Sequence, residues 1–138
     1  MQNTNINQQV QQIKTYEPQQ LLNALYWIWD VFDRCNVPFF LVNQTAKDVI
    51  AQRDLTGNKI EVGIKQTEWI SGGRRLLDAF ATPLSETEDS ATYQFEGIPV
   101  ILHVYKPSEC IEQTDMVRYR YEQFKVPNPY SKFVEIYG

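Results

Sequence analysis

Residues 37–64 constrain the fold more than any other part of the chain. They open on an apolar run, Val37-Pro38-Phe39-Phe40-Leu41-Val42, with no polar residue in it. Such a run is expected of a strand at 37–42 that is covered on both faces, with Pro38 held at its start. A polar turn, Asn43-Gln44-Thr45, comes next, and residues 46–53 have the character of a short helix. Gly57-Asn58 then breaks the chain ahead of Lys59-Ile60-Glu61-Val62-Gly63-Ile64. Alternation there puts Ile60, Val62 and Ile64 on one face of a strand and Lys59, Glu61 and Gly63 on the other. The order is strand, turn, short helix, turn, strand.

Upstream, a helix is expected from Glu17-Pro18, since proline is tolerated in a first turn where its missing N–H is not needed. Leu21, Leu25, Ile28, Phe32 and Cys35 recur at helical spacing, so this helix is mostly buried and ends at Asn36. Trp27 and Trp29 lie about 200° apart around such a helix, so one of them belongs at a rim or interface. Cys35 falls on the apolar face and reads as a buried thiol. Residues 1–15 are rich in Gln and Asn and read as a flexible polar tail ahead of one domain over 16–138.

Downstream, residues 66–80 are expected to be helical, weakened by about 1 kcal/mol per glycine at Gly72-Gly73, or split there by a turn. Residues 83–90 form an acidic loop whose carboxylate spacing fits no calcium loop. Residues 91–96 and 98–105 make a hairpin about Glu96-Gly97. In 117–124, Val117, Tyr119 and Tyr121 alternate with Arg118, Arg120 and Glu122, as in one strand with an aromatic and a charged face, or a helix end. Pro127-Asn128-Pro129 stops that segment before a short helix at 130–137.

A chain of 138 residues with 43% hydrophobic and 22% charged residues is ordinary for one globular domain. The net charge of −4 argues against a broad nucleic-acid surface. No run approaches the roughly 20 apolar residues of a membrane helix, and residues 1–13 lack an apolar stretch, so no secretory leader is expected. The two cysteines, Cys35 and Cys110, fit no metal spacing, which suits a reducing cytoplasm. There is no P-loop, no Gly-x-Gly-x-x-Gly, and no Ser-His-Asp or Cys-His order.

Strand 37–42, the Asn43-Gln44-Thr45 turn, the alternating strand 59–64 and the ending Val126-Pro127-Asn128-Pro129-Tyr130 to Tyr137-Gly138 together resemble the nucleotidyltransferase-fold superfamily, in particular its LicD/fukutin-related group. The resemblance covers roughly residues 20–105 and 126–138. It implies an α/β fold, in the looser α+β sense, with a small mixed β-sheet and helices packed mainly on one side. It also implies a strand ending in Gly-Gly-Thr or Gly-Ser, a strand bearing Asp-x-Asp, and a third carboxylate on another strand. Carboxylates two apart on a strand share a face and can grip Mg²⁺ ions that bridge triphosphate oxygens. Small residues in the turn let backbone N–H groups approach phosphate.

This sequence departs from that pattern. Asn43-Gln44 stand at the glycine positions, ahead of the matching Thr45, and Lys59-Ile60-Glu61 stand where Asp-x-Asp would. The third strand, Ile98-Pro99-Val100-Ile101-Leu102-His103-Val104-Tyr105, offers only His103. Glu61 is therefore the one candidate catalytic residue and, with Asp54, a candidate metal ligand; Asp48 and Asn58 could add oxygens from the connecting segment. Asn43, Gln44, Thr45, Lys59 and Arg53 are candidate ligand-binding residues. Against these stand blander roles: Glu61 as a surface ion pair with Lys59 or Arg53, Thr45 as the N-cap of helix 46–53, His103 as a structural histidine, and Arg74, Arg75, Arg118, Arg120 and Lys125 as solvated charge.

The expectation is a degenerate, catalytically inactive nucleotidyltransferase-like domain. It would bind a nucleotide, a phosphorylated small molecule or a protein partner, and would need no cofactor. The alternatives are an active Mg²⁺-dependent nucleotidyl- or phosphotransferase using Glu61, and a structural or assembly protein with no ligand.

Overall fold

The computed structural model describes residues 15–107 and 114–127. Residues 1–14 of the tail expected at 1–15, the helix expected at 130–137 and Cys110 lie outside them. Helix α1 (Pro18–Arg34) starts on the proline, and the Glu17 N–H is satisfied by Gln20 Oε1 at 3.0 Å. At its end Asn36 turns left-handed, with φ of 55°. The Val37 N–H then reaches back to the Phe32 carbonyl and the Asn36 N–H to that of Asp33, a Schellman arrangement with asparagine in the glycine position. That geometry corrects the expectation for Cys35. It caps the helix and is exposed, a free thiol beyond the apolar stripe.

The 37–42 run contributes only a two-residue strand, β1 (Phe40–Leu41). Helix α2 (Asn43–Ile50) begins earlier than expected, with Val42 at its N-cap, so Thr45 lies inside the first turn and does not cap it. Strand β2 (Ile60–Lys65) runs antiparallel to β1, with Leu41 opposite Val62 and Phe40 opposite Gly63. The helical stretch after it is continuous through the glycines. It comprises α3 (Gln66–Glu68), a π-helical turn (Trp69–Gly73) and α4 (Arg74–Asp78). The acidic loop holds a two-residue edge strand, β3 (Ser85–Glu86). β4 (Ser90–Phe95) and β5 (Ile98–Tyr105) form the hairpin anticipated at Glu96-Gly97, where both turn residues have positive φ, 50° and 84°. The 117–124 segment is a second hairpin, not one strand. β6 (Thr114–Tyr119) and β7 (Glu122–Pro127) pair antiparallel, with Arg120 left-handed at the bend.

The main sheet runs β1-β2-β5-β4-β3 and is mixed, because β2 and β5 are parallel while every other pair is antiparallel. Register sorts the side chains. Leu41, Ile60, Val62, Ile64, Val100, Leu102, Val104, Ala91 and Tyr93 share one face and form one core with Leu21, Leu25, Ile28 and Phe32 of α1 and Leu77 of α4. Residues one position out of phase occupy the opposite face: Phe40, Glu61, Gly63, His103 and Tyr105. There Phe40 and Tyr105 pack together with Val42 as a small separate cluster, their rings 5.5 Å apart. The β6–β7 hairpin packs beside β1 and α2, pinned where Tyr119 donates to the Arg53 carbonyl at 2.6 Å and Gln52 to that of Arg118 at 2.8 Å.

Candidate functional site

The face away from α1 carries the one dense polar cluster that the sequence motif leads to, centred on Glu61. This residue is only 6% exposed, although strand alternation had placed it on the polar side. Three elements converge on it. From the first residue of α2, the Asn43 amide donates to Glu61 Oε2 at 2.7 Å. From β5, His103 Nε2 lies 2.8 Å from the same oxygen. A carboxylate accepts only, so that ring nitrogen carries the proton. From the entry to β2, Lys59 Nζ stands 3.7 Å from Oε1. Thr45 Oγ1 accepts the Glu61 backbone N–H at 3.0 Å, which fixes the strand against the helix.

Burial pushes the Glu61 carboxyl up. The His103 and Asn43 hydrogen bonds and the charges of Lys59 and His103 outweigh it and hold the group below its ordinary value. Glu61 is thus a buried carboxylate with two hydrogen bonds at Oε2 and the Lys59 ammonium near Oε1. His103 reaches it because β2 and β5 are parallel, with His103 opposite Gly63 and so one same-face step beyond Glu61. Glycine at 63 is required there, since a Cβ would collide with the Phe40 and Tyr105 rings.

Asn43 has φ of 53°. The backbone there takes a left-handed conformation that glycine adopts freely and asparagine tolerates better than most residues. Its side chain is turned to the carboxylate.

The remaining candidates go elsewhere. Gln44 and Arg53 both bind Asp48 Oδ1, at 2.8 and 2.6 Å, and Thr56 donates its N–H and hydroxyl to Oδ2 at 3.0 and 2.9 Å. Asp48 is fully buried; desolvation raises its carboxyl, but these hydrogen bonds, led by Arg53, hold it below its ordinary value. Its role is to tie the α2–β2 connection together. Asp54 pairs with Arg120 at 2.6 Å on the surface. Among the described residues there is no group of three or more His, Cys, Asp or Glu side chains that could hold a metal ion. At Glu61, Mg²⁺ binding through Oε2 would have to displace an amide N–H and an imidazole N–H, while Oε1 has the Lys59 ammonium 3.7 Å away.

His103 is the site residue least visible in the sequence. A lone histidine on an apolar strand carries no motif, and only the parallel register with β2 brings it to Glu61. The available signal was its place as the sole side chain with an ionisable ring nitrogen in an otherwise apolar strand.

No family model matches the sequence, and no curated protein matches it. Among solved structures, the crystal structure of the lincosamide antibiotic adenylyltransferase LnuA with lincomycin bound is similar to it, with a TM-score of 0.61 over 83% of this chain and 84% of that one, at 11% identity. The likeness is one of fold. The chain has a small nucleotidyltransferase-like α/β fold with a mixed sheet. Among the described residues no helix is long and apolar enough to cross a membrane.

Proposed function

We propose that this protein is a nucleotidyltransferase-like binding domain without transfer chemistry, and that its ligand sits on the sheet face carrying Glu61. One observation carries the reading: the single carboxylate on the motif strand is hydrogen-bonded by Asn43 and His103 at one oxygen and has the Lys59 ammonium 3.7 Å from the other. A cluster wired in this way presents a cation and an imidazole to a ligand and leaves no second carboxylate to share a metal. Along the same face, Phe40, Lys65, Lys125 and Glu68 help line a hollow of about 290 Å³. Its two lysines favour a phosphorylated small molecule or a nucleotide over an uncharged one. Kinship with the LicD/fukutin-related group and residence in a reducing cytoplasm belong to the same proposal; the exposed free thiol of Cys35 suits that compartment.

A second reading has one observation in its favour. The similar solved structure is described as an adenylyltransferase, and a carboxylate hydrogen-bonded to a part-exposed imidazole is an arrangement that can take up a proton. In that reading the protein transfers a nucleotidyl group and Glu61→Gln abolishes turnover.

Thermal unfolding in the presence of each nucleoside triphosphate, with and without Mg²⁺, separates the two. Binding to the native state adds about 2.7 kcal/mol at a hundredfold excess over Kd. The expected result is stabilisation by a phosphorylated ligand that does not depend on Mg²⁺, with no product in a transfer assay. A shift that requires Mg²⁺, together with product, would overturn the proposal.

A further inference from the structure

We infer that the groove between α1 and the turns of the two hairpins is a binding site for an organic ammonium group. The open groove, of about 610 Å³, lies on the opposite side of the sheet from Glu61 and shares no lining residue with the Glu61 cluster. Its walls are aromatic: Tyr26, Trp27 and Trp29 from α1, Phe95 from the end of β4, and Tyr121 from the β6–β7 turn.

These rings are held in place before any ligand arrives. Trp27 stacks on Phe95 with centroids 5.5 Å apart, and Tyr26 stacks on Phe124 at 6.4 Å. Trp29 Nε1 donates to the Gln123 carbonyl at 3.3 Å, and the Tyr26 hydroxyl accepts the Tyr121 N–H at 3.3 Å. Only Tyr121 stands free, 83% exposed at the mouth.

The charge at the rim has one sign. Asp30, Glu96 and Glu122 line the groove, and no lysine or arginine among the described residues does. Asp30 is partly neutralised by Arg34 one helical turn on, at 2.9 Å. Glu96 and Glu122 make no ion pair among the described residues, so they supply the attraction. Aromatic faces attract a cation through their quadrupoles, and carboxylates at the rim add a Coulomb term and repel anions. An alkylammonium group satisfies both parts of the groove, its methyl or methylene surface against the rings and its charge toward the rim. A neutral apolar ligand uses only the first part.

Choline and its uncharged isostere 3,3-dimethylbutanol test this directly. Each is titrated into the protein while tryptophan fluorescence is followed, with sodium chloride at matched concentration as the baseline; Trp27 and Trp29 report from the wall. Choline is expected to give a saturable change, with the isostere weaker by about tenfold or more. The Glu96→Gln/Glu122→Gln double variant, altered at the β4–β5 turn and at the first residue of β7, should lose about tenfold in choline affinity and keep its response to the isostere. Equal responses to the two probes, no saturable response to choline, or an unchanged choline affinity in the double variant would each overturn the inference.

Discussion

At the scale of single residues, Asn43 joins backbone geometry to the site. Its positive φ disfavours a side chain with a Cβ, and its amide holds the buried Glu61 carboxylate. Asn43→Ala keeps the first cost and loses the compensating bond, and should destabilise by about 1–3 kcal/mol. Asn43→Gly loses the bond but relieves the backbone, so its midpoint in urea should lie between those of Asn43→Ala and the unsubstituted protein. The reverse order would mean that the left-handed turn is not what residue 43 is selected to make. Gly63 makes a complementary case. An alanine there has no room beneath Phe40 and Tyr105, and the rings must part, so Gly63→Ala should cost about 1–3 kcal/mol by the same measurement. Asn43 and Glu61 were legible as site positions because a polar turn and a strand carboxylate stand out locally. The reason for Gly63 was not, since it depends on ring packing between strands distant in sequence.

At the scale of elements, periodicity found α1 and the Glu96-Gly97 hairpin, because a wide apolar stripe and a Gly turn are local signals. It failed where pairing decides. Tyr119 and Tyr121 look like one alternating strand, yet Arg120 takes a left-handed φ and folds the chain back, so Tyr119 is buried while Tyr121 is exposed. It also erred at Cys35, where the periodic stripe runs on for one residue after the Schellman cap has ended the helix. The Gly72-Gly73 pair shows the same limit. The helical run survives both glycines through a π turn, and the two are not equivalent. A Cβ at 72 would meet nothing within 4 Å, whereas at 73 it would come 2.9 Å from Ile64 Cδ1 and 3.3 Å from the Glu68 carbonyl. Gly72→Ala should therefore stabilise by up to about 1 kcal/mol, the helix propensity of alanine over glycine. Gly73→Ala should gain nothing or lose stability, since the core must shift to admit it. Thermal unfolding of the pair distinguishes propensity from packing. Equal gains would mean that Ile64 yields freely.

For the whole molecule, two buried carboxylates join separate parts of the chain. Asp48 secures the connection from α2 to β2, and Glu61 links α2, β2 and β5. Both are held below their ordinary values of 3.8 and 4.5, because hydrogen bonds and nearby charge outweigh the opposing effect of burial. A carboxyl whose folded value is depressed binds its proton more readily in the unfolded chain. Each therefore stabilises the fold in full above its unfolded value, and that contribution is lost as pH falls through the folded one. The unfolding midpoint in urea should hold from pH 7 down to about 5 as far as these two groups are concerned, then drop steeply below about pH 4.5. Glu61→Gln keeps the shape of the side chain and removes the titration. It should lower stability at pH 7, where the charge interacts with His103 and Lys59, and lower it less at pH 3.5, so the two pH profiles converge on acidification. Parallel profiles would mean that Glu61 is protonated in the native state, and the site would then be a neutral hydrogen-bond cluster in place of a buried carboxylate held by a cation and an imidazole.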